Sequence, residues 1–179
     1  VARDLSSPER PLLLAGVMIA ALSVLVGCGD GETVVTATRT PTPTPVSQEE
    51  AVKHAYAAAL ENGKRALLGP ADQVRVVLRE SHTGEELDQL VRDVIKTQEE
   101  HRAPTGRLVP HVGKVELRGT EAIVYDCLDL GSYGFKDTRT GEQLPRRGPV
   151  RAGYKVWMRQ GGDGRWRISR LRGHEESCS

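Results

Sequence analysis

The chain has 179 residues, with 25 basic and 24 acidic side chains and a net charge of +1. Such a balance argues against a general polyanion binder, which carries a strongly basic composition or a concentrated patch, and the length allows one domain of ordinary size with a tail. The charge is unevenly spread: Ser47 to His101 holds seven basic and eleven acidic side chains (net −4), whereas Arg139 to Ser179 holds ten and four (net +6).

Taken in order, the chain first presents an apolar run from Leu12 to Val26 that closes in Leu25-Val26-Gly27-Cys28. Its fifteen residues would extend about 22 Å as a helix, short of the roughly 30 Å hydrocarbon core of a bilayer. A signal-peptide apolar region fits better than a spanning helix, although Arg3 and Arg10 are offset by Asp4 and Glu9. The run and its Gly27-Cys28 ending resemble the lipobox of bacterial lipoproteins. That resemblance implies a signal peptide over 1–27, a diacylated (palmitate-type) Cys28 at the new terminus, and a protein held at the extracytoplasmic face of the cell membrane. Two chains anchor firmly where one would not. The alternative is an uncleaved anchor. With Cys28 acylated, Cys127 and Cys178 remain as a pair in an oxidising compartment. A bridge between them closes a loop worth about 4 kcal/mol on the chain-entropy estimate and would pin the end of the chain. The alternative there is two buried free thiols.

Residues 28–46 form a linker centred on Thr40-Pro41-Thr42-Pro43-Thr44-Pro45. Alternating prolines fix φ and remove amide donors, which predicts an extended spacer that is either bare or O-glycosylated. Ser47 and Glu50 then form a capping-box pattern, and Val52, Ala55, Tyr56, Ala59, Leu60 and Leu67 recur at helical spacing. They predict a helix from Gln48 to about Leu68, broken by Gly69-Pro70. A shorter helix is expected over Ala71 to Arg79. Thr83 and Glu86 repeat the capping box, and Leu87, Leu90, Val91, Val94 and Ile95 predict a third helix that frays through His101 to Pro104.

Beyond Pro104 the period changes to two. Val115 and Leu117 alternate with Lys114, Glu116 and Arg118; Gly119-Thr120 is a turn; Ala122 to Leu128 is apolar on both sides except at Asp126. Val150, Ala152, Tyr154, Val156 and Met158 define a strand whose even positions face a core and odd positions face water. Gly161 to Gly164 reads as a hairpin turn, after which Trp166 and Ile168 return inward. Residues 131–148, with Tyr133 and Phe135, read as a hairpin or a flap.

Helices followed by antiparallel strands predict an α+β fold, with N-terminal helices packed on a curved antiparallel sheet. The order of elements and the closing hairpin, Tyr154-Lys155-Val156-Trp157 to Gly164-Arg165-Trp166-Arg167-Ile168, resemble the nuclear transport factor two-like superfamily, the polyketide-cyclase-like cone fold, over residues 47–179. Ala122-Ile123-Val124-Tyr125-Asp126-Cys127 with Cys178 near the end is similar to secreted lipoproteins of high-GC Gram-positive bacteria.

The histidines His54, His82, His101, His111 and His174 lack metal-ligand spacing, and the glycine runs do not join a strand to a helix, so neither a metal nor a cofactor is expected. The resemblance implies a pocket between helix and sheet where a carboxylate of raised pKa could move a proton, with Asp126, His54, Tyr125 and Tyr154 as candidates for isomerase, dehydratase or cyclase chemistry. A second candidate is a basic face, Arg151, Lys155 and Arg159 with Trp157 among them, suited to an anionic envelope polymer or an acidic protein. Its bland counterpart is a solvated sheet face. Nucleic acid is not an expected partner outside the cell. A non-catalytic binding module is the expected class.

Overall fold

The computed structural model describes residues 47–178; the apolar run, the lipobox and the whole linker lie outside them. Helix α1 spans Gln48–Leu68, and Ser47 opens it by accepting from the Glu50 amide at 3.1 Å. Only this half of the capping box forms, because the Glu50 carboxylate meets Lys53 Nζ at 3.1 Å. After Gly69-Pro70 the chain makes a 3-10 turn, Ala71–Gln73, and a short helix α2, Val74–Leu78, where a single helix to Arg79 was expected. Carbonyls left free at this break are gathered by Gln98 Nε2, which donates to Gly69 O (2.8 Å) at the helix cap and to Ala66 O (3.1 Å) and Leu67 O (3.3 Å) of α1. Gln98 belongs to α3, Gly84–Glu99.

The second capping box does not form. Thr83 makes no side-chain cap, and Glu86 Oε2 accepts instead from the Leu171 amide at 3.0 Å. The reason lies in the sheet. Strands β2 (Val112–Arg118), β3 (Glu121–Asp129), β5 (Arg151–Gln160) and β6 (Trp166–Gly173) form one antiparallel sheet in the order β2-β3-β5-β6, which leaves β6 at an edge with unpaired backbone groups. Ser81 O accepts from Ile168 N at 2.8 Å, Thr83 N donates to Ile168 O at 2.9 Å, and Glu86 takes the Leu171 amide, so the start of α3 covers that edge.

One face of the sheet carries the helices. Val52, Tyr56 and Ala59 of α1 interlock with Ala122, Val124, Val156, Met158, Trp166 and Ile168; a second cluster, Ala66, Val74, Leu78, Val91 and Val94, joins the helices to one another. Trp166 and Ile168 point inward as expected. The chain does not fray to Pro104: Arg102–Thr105 is strand β1, paired antiparallel with β4, Gly134–Asp137, as a separate two-stranded ribbon. Residues 131–148 are thus a hairpin arm only in part, since the strand pairs with a segment some thirty positions earlier.

The predicted bridge is present. Cys127 and Cys178 are disulfide-bonded, with Cα atoms 4.8 Å apart, and hold the final 3-10 turn, Glu175–Cys178, against β3 and β5. Gly153 stands opposite Cys127, and a Cβ there would lie 2.0 Å from the His174 carbonyl oxygen, so the absence of a side chain lets the tail cross the strand.

Candidate functional site

Strand β3 sorts its residues by parity. Ala122, Val124, Asp126 and Leu128 are buried under the helices, while Ile123, Tyr125 and Cys127 occupy the other face. Asp126 is 0 % exposed, and its Oδ2 accepts from the Tyr56 hydroxyl at 2.8 Å; Oδ1 has no partner among the described residues. Burial pushes the Asp126 carboxyl above its ordinary range, opposed by the Tyr56 hydrogen bond and the His111 backbone. Burial, reinforced by the adjacent carboxylate, drives the Tyr56 hydroxyl far above its usual value. Tyr154, the register partner of Asp126, lies on the same inner side and is half-buried.

The four catalytic candidates therefore separate. Asp126 and Tyr154 share the inner face, Tyr125 is on the outer face, and His54 is exposed on the side of α1 away from the core. Two residues along a helix turn a side chain by about 200°, so Tyr56 and His54 could not both face inward. The space between α1 and the sheet is occupied by Val52, Tyr56, Val124, Val156 and Met158, all at most 1 % exposed. Proton transfer to a bound carbonyl compound requires contact with the carboxylate, and Asp126 offers no accessible surface for it. Tyr56, its actual partner, was visible in sequence only as one member of an apolar stripe. A hydroxyl in that stripe was the signal, since a buried Tyr seeks an acceptor.

The outer face is built differently. Lys155 Nζ lies 5.1 Å from the Tyr125 ring and 5.2 Å from the Trp157 ring; Lys114 Nζ approaches Tyr125 from its other neighbouring strand, β2, at 5.5 Å, and the Arg170 guanidinium lies 5.6 Å from Trp157. Four strands thus contribute one row of alternating cations and rings, each contact within the range of cation–π attraction. Lys114 is also paired with Glu116 at 2.7 Å, whereas Lys155 and Arg170 make no ion pair with a carboxylate among the described residues. Of the predicted face, Lys155 and Trp157 sit at the centre of the row and Arg151 is exposed beyond it; Arg159 is engaged by Glu121 at 3.2 Å. Lys114 and Tyr125 were missed because they join through cross-strand register, Tyr125 opposite both Lys114 and Lys155. Trp157, Arg170, Ile123 and Glu116 also border a cavity of about 470 Å³ that reaches to Thr83 and Glu85 at the start of α3. Among the described residues no group of three His, Cys, Asp or Glu side chains could hold a metal ion.

No protein-family model matches this chain, and a search of curated proteins found no match. Among solved structures it is similar to the intermembrane space region of the chloroplast protein ARC6, with a TM-score of 0.55 and 16 % identity over 73 % of this chain and 99 % of that one. It is also similar to a ketosteroid isomerase-like protein from Erwinia carotovora atroseptica SCRI1043 (TM-score 0.45, 15 % identity, 70 % and 95 % covered). A nuclear transport factor 2-like superfamily protein from Salmonella enterica serovar Typhimurium LT2 gives a TM-score of 0.44 at 7 % identity, with 71 % and 92 % covered. At such identities a likeness is one of fold alone. The class is that of the fold itself, an α+β domain with three helices followed by a four-stranded antiparallel sheet and a two-stranded ribbon.

Proposed function

We propose that this chain is a lipid-anchored, extracytoplasmic binding module that recognises an anionic envelope polymer through the outer face of its sheet. The observation that carries the reading is the row Lys114, Tyr125, Lys155, Trp157 and Arg170, in which Lys155 and Arg170 flank an indole and pair with no carboxylate among the described residues. Cations held against rings lose side-chain freedom before a ligand arrives, so less ordering is needed on binding. An acidic protein would satisfy the same charges and is the second occupant. The Cys127–Cys178 bridge supports export, since disulfides persist in oxidising compartments. The lipobox-like Leu25 to Cys28 supports an anchor at Cys28. Proton-transfer chemistry is the less favoured alternative, because its carboxylate, Asp126, is wholly enclosed and already hydrogen-bonded.

Two measurements test the reading. Co-sedimentation of the full chain with purified teichoic-type polymer should be saturable, should weaken with salt, and should drop about tenfold or more in the K155E/R170E variant. Unchanged sedimentation in that variant overturns the polymer reading, while capture of an acidic envelope protein lost in the same variant would replace it. For the anchor, Cys28→Ser should leave the protein uncleaved and unacylated by mass spectrometry of the membrane fraction. An unaltered mass for the C28S and unsubstituted chains, apart from the substituted atom, would remove the lipoprotein reading.

A further inference from the structure

A second feature lies away from both the enclosed carboxylate and the outer face. Where the β1–β4 ribbon stands beside the end of the large sheet, residues 144–150 run between them as a strap fastened at both ends. The Leu144 amide donates to Phe135 O at 2.8 Å, and Val150 O accepts from the Leu130 amide at 2.8 Å. Between these points the Arg146 guanidinium donates to Leu130 O at 2.6 Å and to Gly131 O at 2.7 Å. Under the strap is a cavity of about 410 Å³, within the size range of small-molecule sites.

The walls of this cavity have a definite chemistry. Tyr133 and Phe135 meet edge to face with centroids 5.5 Å apart, and Leu130 and Leu144 complete an apolar surface. Its charged groups are all arginines; no Asp or Glu borders it. Arg146, on the strap, is committed to the Leu130 and Gly131 carbonyls. The Arg102 guanidinium lies over the Phe135 ring, 4.5 Å from the centroid, and donates to Glu100 at 3.3 Å, its one ion pair among the described residues. Arg147 is exposed and has no hydrogen bond or ion pair among the described residues. Tyr133 and Phe135 are half-buried, and burial pushes the Tyr133 hydroxyl above its ordinary range. With Nη1 given to Glu100, the remaining N–H groups of Arg102 and the whole guanidinium of Arg147 are the donors that can meet the oxygens of a carboxylate or phosphate.

We propose that this cavity binds a small amphipathic anion, a carboxylate or phosphate monoester whose apolar body rests on Tyr133, Phe135 and Leu144 and whose head lies between Arg102 and Arg147. The site shares no residue with the outer-face row, so either can fail without the other. The strap fixes the opening through Arg146, and the head group supplies the counter-charge that the walls lack.

Equilibrium dialysis of the full chain in a non-ionic sugar detergent, against empty micelles as blank, tests this with four probes of one shape. 2-Naphthoate or 2-naphthyl phosphate should bind saturably, and the stronger of the two identifies the head group. Neutral 2-naphthylmethanol and cationic 2-naphthylmethylamine should bind at least about tenfold more weakly. R147Q should weaken anion binding about tenfold, R102E/R147E should abolish it, and L144W, which fills the cavity without touching charge, should abolish binding of every probe. Circular dichroism of each variant separates loss of site from loss of fold. Equal binding of the neutral and anionic probes, retention of affinity in R102E/R147E, or no saturable binding above the micelle blank would overturn the proposal.

Discussion

Tyr56 and Asp126 show how one hydrogen bond can hold an expensive group in a core. A buried carboxylate prefers its protonated form, so Asp126 contributes more to stability at low pH than at high pH: its folded pKa is raised, and its contribution declines as pH rises through that value. Tyr56→Phe removes the single donor seen on Oδ2 and should cost about 1 to 3 kcal/mol in denaturant unfolding near neutral pH, with a smaller cost in acid. A cost independent of pH would mean that the carboxyl is neutral throughout. His82 runs the other way. It is 6 % exposed, beside Ser81 Oγ at 3.1 Å, and burial lowers its pKa to about 4. Above its ordinary value of 6.5 both folded and unfolded states are neutral, so nothing is lost; between 6.5 and about 4 only the unfolded state takes the proton. Stability should therefore fall across that window by about 3 kcal/mol, and His82→Gln should flatten the slope.

At the scale of elements, long-range contacts overrule local patterns. The Thr83 to Glu86 capping box was legible as a pattern, yet Glu86 serves the edge of β6, since an unpaired strand amide is costlier than an uncapped helix end that water can reach. Glu86→Ala should destabilise by about 1 kcal/mol and accelerate hydrogen exchange at the Leu171 amide specifically, whereas Thr83→Ala should leave that amide unchanged. The tail crossing at Gly153 makes a sharper demand. A methyl group there meets the His174 backbone, so Gly153→Ala should cost about 1 to 3 kcal/mol and shift the resonances of residues 173–178 while leaving α1 undisturbed. Equal stability for G153A would show that the tail can lift without loss.

For the whole molecule, the disulfide links the last turn to the middle of the sheet across 51 positions. Reducing it, or replacing both cysteines by Ser, should lower unfolding stability by about 4 kcal/mol with the helices retained, as read by circular dichroism and denaturant midpoints. Much of this architecture is written in local spacing. Ser47 and the stripe from Val52 to Leu67 specify α1 because side chains three and four apart share a helix face, and the alternation from Arg151 to Arg159 specifies a half-wet strand because successive side chains oppose one another. The cysteine pair follows from count once Cys28 is set aside. The partner of Asp126, the outward turn of Tyr125, the β1–β4 ribbon and the arginine cavity beneath its strap belong to the tertiary structure alone. Tyr56 and Asp126 are 70 positions apart, and a strand that is apolar on both sides gives no parity by which to choose its inner face. Periodicity within a segment records which residues share a side; only the packing of segments against one another decides what that side meets.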